Sequence, residues 1–125
     1  MTAVAETPGA PARLRKRSEF LRAARGNRTG RSAFSLQAVR SGAPGPRLGF
    51  TVTKRIGNAP ERNRIRRRLR AAAQACAGRF QPQHDYVLVG RREALVQPFD
   101  QLVEELSSAI DKINATTAKR PRDPS

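Results

Sequence analysis

RLGFTVTKRIGNAPERNRIRRRLRAAAQACAG, residues 47–78, changes its period halfway along. Leu48, Phe50 and Val52 alternate with Gly49, Thr51 and Thr53, which predicts a strand with one apolar face and one face of small, mostly polar residues. Lys54 to Ala59 holds Gly57 and Asn58 and reads as a loop. Pro60 suits the first turn of a helix, and Glu61 suits the positive end of its dipole. Ile65, Leu69, Ala72, Ala73 and Cys76 then fall within an arc of about 100° on a helix predicted to run to about Ala77 and stop at Gly78. Asn63, Arg66, Arg67 and Arg70 lie opposite that stripe; Arg64 and Arg68 line one flank, and Arg62 lies toward the other. The helix is thus one apolar stripe ringed by guanidinium groups.

Upstream, Ser18 to Arg25 reads as a short helix closed by Gly26-Asn27, with Phe20, Leu21 and Ala24 on one side. Ser32 to Arg40 alternates, with Phe34, Leu36 and Ala38 on one face and Ser35, Gln37 and Val39 on the other. SGAPGP at 41–46 turns the chain. Downstream, the continuous apolar run Tyr86 to Val89 suits a strand covered on both faces. Pro98 opens a last helix whose predicted buried face is Phe99, Leu102, Val103, Leu106, Ile110 and Ile113. The order helix, strand, strand, helix, strand, helix predicts an α+β sandwich with helices packed on one sheet. Residues 1–12 read as a disordered arm, 13–114 as the one folded domain, and 115–125 as a flexible tail.

The 125 residues carry a net charge of +15, from 25 Lys and Arg against 10 Asp and Glu. Of the basic residues 21 are Arg, whose planar fork grips phosphate bidentately and stacks on bases. Lys54 to Arg70 alone carries +7 in 17 positions, and Arg13 to Arg31 is opposed only by Glu19. Four of the ten acids, Asp100, Glu104, Glu105 and Asp111, gather in one short stretch. Such clustering is costly in a compact fold unless a partner's phosphates offset it, and it points to nucleic acid rather than to a merely solvated face.

Several classes of function are excluded. No apolar run exceeds four residues, so no membrane-spanning helix is predicted, and the N-terminus has no secretory pattern; the expected compartment is the cytoplasm. One Cys and one His cannot form a disulfide framework or a four-ligand zinc site. No pair of acids has a recognisable active-site spacing, His84 has no nucleophile beside it in a motif, and Cys76 falls on the apolar stripe as a core residue. His84 is expected at a strand edge, solvated or hydrogen-bonded. No phosphate-binding glycine loop occurs, so neither a small-molecule substrate nor a protein-borne catalytic residue is expected.

Binding residues are better marked. Ser35, Gln37, Thr51 and Thr53 supply hydroxyls and an amide from strand faces, and Lys54 and Arg55 supply charge at the strand end. Phe20 has two readings, core packing or a stacking surface beside that sheet. A polar floor, a basic rim and an aromatic edge would suit single-stranded nucleic acid. The Arg-rich helix, carrying Arg62, Asn63, Arg64, Arg66, Arg67, Arg68 and Arg70, is the strongest signal. Rival readings are a structural RNA-binding protein of ribosomal type, a DNA-binding regulator and a protein-only nuclease. The last would need clustered carboxylates, and the second a dimer seam for which no apolar face is spare.

Residues 47–70 resemble the family of bacterial ribonuclease P protein components, whose pattern VGFSVSKKVGNAVxRNRIKRxLRE they follow almost position for position. Arg13 to Phe20 resembles the family's RLxKxxEF, and Asp85 to Arg91 its DYVLIAR. The resemblance implies a two-layer α/β sandwich with a mixed sheet, a ribosomal-protein-like fold with a left-handed βαβ crossover. It also implies a catalytic RNA partner, one protein per RNA, and removal of the 5′ leader of precursor tRNA by an RNA-held Mg²⁺ chemistry. It places Arg62, Asn63, Arg64, Arg67 and Arg70 against the catalytic RNA. Phe20, Thr51, Lys54 and Arg55 are placed at the leader. The chain departs from the family at Ala24 and Gln37, where aromatics are expected, which implies weaker stacking with hydrogen bonding from Gln37 in its place.

Overall fold

A computed structural model describes residues 11–119, with side chains through Thr116; most of the expected N-terminal arm, and the tail beyond 119, lie outside the described residues. The elements are β1 (Ala12–Arg13), α1 (Arg17–Ala24), β2 (Asn27–Gly30), β3 (Phe34–Arg40), β4 (Arg47–Thr51), α2 (Ala59–Ala75), β5 (His84–Gly90) and α3 (Phe99–Lys119). Single 3-10 turns lie at Lys54–Ile56, Ala77–Arg79 and Arg92–Leu95. They form one five-stranded sheet in the order β1-β4-β5-β3-β2. β1 pairs parallel with β4 and β4 parallel with β5, while β3 runs antiparallel to both β5 and β2. α2 is the crossover between the parallel strands β4 and β5.

The apolar run that predicts a two-sided strand is β5, the centre of the sheet. Tyr86 and Leu88 face α2 and α3, in a core with Phe34, Leu36, Leu48, Ile65, Leu69, Leu102, Leu106, Ile110 and Ile113. Fully burying each large aliphatic side chain contributes roughly 1.5–3 kcal/mol. Gly90 lets α2 close on β5: a Cβ there would lie 2.7 Å from Ile65 Cγ2. Val87 points the other way, into a small second core with Leu14 and Ala23, against which Phe20, Val39 and Val89 pack. α1 therefore covers the face of the sheet that α2 and α3 leave free.

Several expectations are corrected here. β1 and β2 carry no alternation that would announce them; Ala12 pairs with Arg47, so the folded region begins inside the expected arm. α2 ends at Ala75, before Gly78, because the chain tightens into the 3-10 turn at Ala77–Arg79. α3 runs to Lys119, past the expected boundary at 114. Phe99 is 44% exposed, since as the first residue of α3 it overhangs the end of the core. Ser35 and Gln37 are buried rather than open, because they sit opposite Val89 and Val87 on the face that α1 covers.

Three titratable side chains, His84, Cys76 and Tyr86, lie inside the fold. His84 is buried, with Nδ1 2.8 Å from the Pro82 carbonyl, which makes Nδ1 the protonated nitrogen. Cys76 is buried, and burial pushes its thiol pKa up. Tyr86 donates to Asn114 Oδ1 at 2.8 Å and accepts from the Gln81 amide at 3.0 Å, tying α3 to the start of β5.

Candidate nucleic-acid interface

The Arg-rich helix is anchored at its start before any arginine is displayed. Asn58 caps it, accepting from the Glu61 amide at 2.9 Å, and Glu61 returns the bond to the Asn58 amide at 3.0 Å. Arg92 grips the same Glu61 at 2.9 Å and donates to the Ile56 carbonyl at 2.8 Å, so the preceding turn is fixed too. The Arg92 bond, then the Asn58 amide, hold the Glu61 carboxyl below its usual range. Sequence reading found Pro60 and Glu61 but not Asn58 as the cap.

The arginines of α2 divide into groups. Arg64 and Arg67 are exposed and have no side-chain partner among the described residues. Arg66 accompanies Asn63, donating to its Oδ1 at 2.9 Å. Arg70 lies over the Phe50 ring, 5.3 Å from its centroid, a cation–π contact. Arg62 is half-buried, with Nε enclosed and unpartnered. Arg68 departs from the expected RNA surface: it donates to the Ala94 and Gln97 carbonyls, both at 2.6 Å, and so fastens the turn before α3 onto α2. Five of the seven candidate positions on this helix (Asn63, Arg64, Arg66, Arg67 and Arg70) thus keep polar groups for an outside ligand, whereas Arg68 spends its donors inside the protein.

A cleft of about 470 Å³ lies between α1 and the sheet. Phe20, Gln37 and Thr51 line it, together with Leu21, Ala24, Val87 and Val89. Arg15 and Arg17 stand at its side; they belong to the basic run visible in the sequence but had no assigned place in the site. Phe20 is neither wholly core nor wholly open. It packs on Gly49, where a Cβ would come within 2.5 Å of Phe20 Cε2, yet it is half exposed to the cleft. Ser35 and Thr53 do not line the cleft; Ser35 is buried with its hydroxyl unpartnered, and Thr53 is exposed with Lys54 and Arg55 on the turn after β4.

α1 is held over this cleft by charges that sequence reading missed. Arg47 makes two 2.8 Å bonds to Asp85, whose side chain is wholly buried, and a third of 3.0 Å to Glu19. Glu19 also accepts from the Arg15 and Lys16 amides. Those amide bonds, more than Arg47, lower its pKa. Arg22 donates to the Arg40 carbonyl and ties α1 to the end of β3. Spacing gives no sign of this network, because its members come from α1, β4 and β5.

Among the described residues no three His, Cys, Asp or Glu side chains group as metal ligands, and no helix is long and apolar enough to cross a membrane. A mixed sheet bearing an arginine-studded helix and a basic cleft with one aromatic wall defines a small α+β protein of the nucleic-acid-binding class. The family model for ribonuclease P matches residues 9–114. The ribonuclease P protein component of Brucella melitensis biotype 1 is 50% identical over 109 residues, covering 78% of this chain and 77% of that protein. That of Ruegeria pomeroyi is 45% identical over 107 residues, covering 82% and 86%. The solved structure of the RNase P protein from Thermotoga maritima superposes with a TM-score of 0.71 at 25% identity, covering 81% of this chain and 96% of that one. The Staphylococcus aureus RNase P protein shares the fold, with a TM-score of 0.69 at 24% identity over 80% and 93%. The chain belongs to the ribonuclease P protein component family, and is an RNA-binding subunit of a tRNA-processing ribonucleoprotein.

Proposed function

We propose that the cleft between α1 and the sheet binds the single-stranded 5′ leader of precursor tRNA, while the outer face of α2 binds the catalytic RNA. The observation that supports this most is the seating of Phe20: pressed on Gly49, held by the Glu19–Arg47–Asp85 network, and flanked by Arg15 and Arg17. An aromatic face beside fixed cations suits unpaired nucleotides, whose bases stack and whose phosphates need neutralising. Gln37 and Thr51 add polar groups to the floor, and Lys54 and Arg55 extend the charge beyond it.

In this reading the protein's work is positional and electrostatic. Arg64 and Arg67, free of internal partners among the described residues, screen repulsion between RNA segments, and the cleft raises affinity for precursor over mature tRNA. Phosphodiester cleavage, in the cytoplasm, is assigned to the RNA, which would hold most of the Mg²⁺ that the holoenzyme needs. Phe20→Ala tests the assignment in the reconstituted holoenzyme. Precursor tRNA should bind about tenfold more weakly, as for one lost stacked base, with mature tRNA nearly unaffected. Equal loss for both would make Phe20 a core residue only, and cleavage by the protein without RNA would overturn the division of labour.

A further inference from the structure

A second cleft, of about 500 Å³, opens between β1 and α2. Its floor is apolar, from Leu48, Phe50 and Ala73, and its walls carry Arg13, Arg70 and Gln74. Arg70 and Gln74 are four residues apart and so stand one turn apart on the same side of α2. Arg13 and Gln74 are exposed and have no side-chain partner among the described residues. Phe50 lines this cleft and the α1 cleft alike. The reason is topological: β1 is only two residues long and pairs with Arg47 and Leu48, so among the described residues no strand covers β4 from Gly49 to Thr51 on that side. The two clefts meet around this open edge.

We propose that the β1–α2 cleft is a nucleotide-binding site that receives leader nucleotides beyond those held under α1. A base stacks on the guanidinium of Arg70, which is backed by Phe50 and is here given to the leader rather than to the catalytic RNA; the Gln74 amide meets the base edge; Arg13 meets the adjoining phosphate. Each contact has the right chemistry. A guanidinium plane stacks on any base, an amide offers both a donor and an acceptor, and an exposed arginine pairs with phosphate. The leader is favoured over the catalytic RNA as occupant because the cleft continues the α1 cleft through a shared residue. This site rests on the leader reading above, and it extends the path from one face of the sheet to the other.

The test uses holoenzyme reconstituted from the full chain and precursor tRNAs whose leaders lengthen one nucleotide at a time. With the wild-type chain, affinity should rise in a second step once the leader is long enough to round the β4 edge. An abasic nucleotide at the position of that step should cancel it. The double variant Arg13→Ala with Gln74→Ala should reduce the step by about tenfold, as for one ion-paired and one hydrogen-bonded contact. A second step of wild-type size in the double variant overturns the site. So does an equal loss at every leader length, which would hand the cleft to the catalytic RNA. Phe20→Ala, measured on the shortest leader, separates the two proposals: if it weakens precursor tRNA and spares mature tRNA while the wild-type chain shows no second step, the α1 cleft stands and this site falls. If neither depends on the leader, both fall.

Discussion

Gly49 shows how one missing side chain positions an aromatic. Its α-carbon is the surface on which Phe20 lies, and a Cβ there would fall within 2.5 Å of the ring. Gly49→Ala should push that ring away from the sheet. The expected result is a loss of about tenfold in precursor-tRNA affinity with unchanged affinity for mature tRNA, read from paired binding isotherms. Tyr86 carries a different consequence. Burial raises its pKa from 10.0 to about 12. A raised acid binds its proton more tightly when folded, so its contribution to stability is whole below pH 10 and is lost as the pH rises toward 12. Chemical denaturation of the wild-type chain should therefore show stability falling across that window, and Tyr86→Phe should flatten the fall.

At the scale of elements, α2 serves two masters on two faces, and neighbouring arginines on it do unlike things. Arg68 is a fastener for the turn before α3, while Arg67 is open to solvent. Arg68→Ala should lower stability by about 2–4 kcal/mol, since it removes two charge-assisted hydrogen bonds, and the loss should show in the denaturation midpoint. Arg67→Ala should leave the midpoint within about 0.5 kcal/mol, as at any surface site, but reduce holoenzyme activity most at low Mg²⁺. An equal activity loss at every Mg²⁺ concentration would count against a screening role. Helical spacing alone puts Arg64 and Arg68 on one flank and gives no ground to separate them. What separates them is the 3-10 turn at Arg92–Leu95, which packs beside one and not the other.

Across the whole molecule, charge is segregated. The acids of α3 are partly spent on internal pairs, Glu105 with Arg31 and Asp111 with Arg79, and the same helix bears a shallow acidic face lined by Asp100 and Glu104. The exposed arginines of α2 and those beside the α1 cleft stand on other elements. If the leader cleft neutralises about four phosphates, the logarithm of leader affinity should fall with the logarithm of salt concentration at a slope near roughly −3. A slope near zero would remove the electrostatic account. The amino-acid sequence alone determined the α+β class, the central two-sided strand, the Arg-bearing helix and its apolar stripe, because each of these is written in the local period of apolar residues. It also carried the motif that places the chain in its family. Only the tertiary structure decided which strands flank the centre and which arginines are consumed at home. It alone placed Ser35 and Gln37 under cover and joined two clefts at Phe50. Those outcomes depend on partners far apart in the chain, such as Arg47 with Asp85 and Arg68 with Gln97, and a periodic pattern holds no record of which distant residue will complete a hydrogen bond.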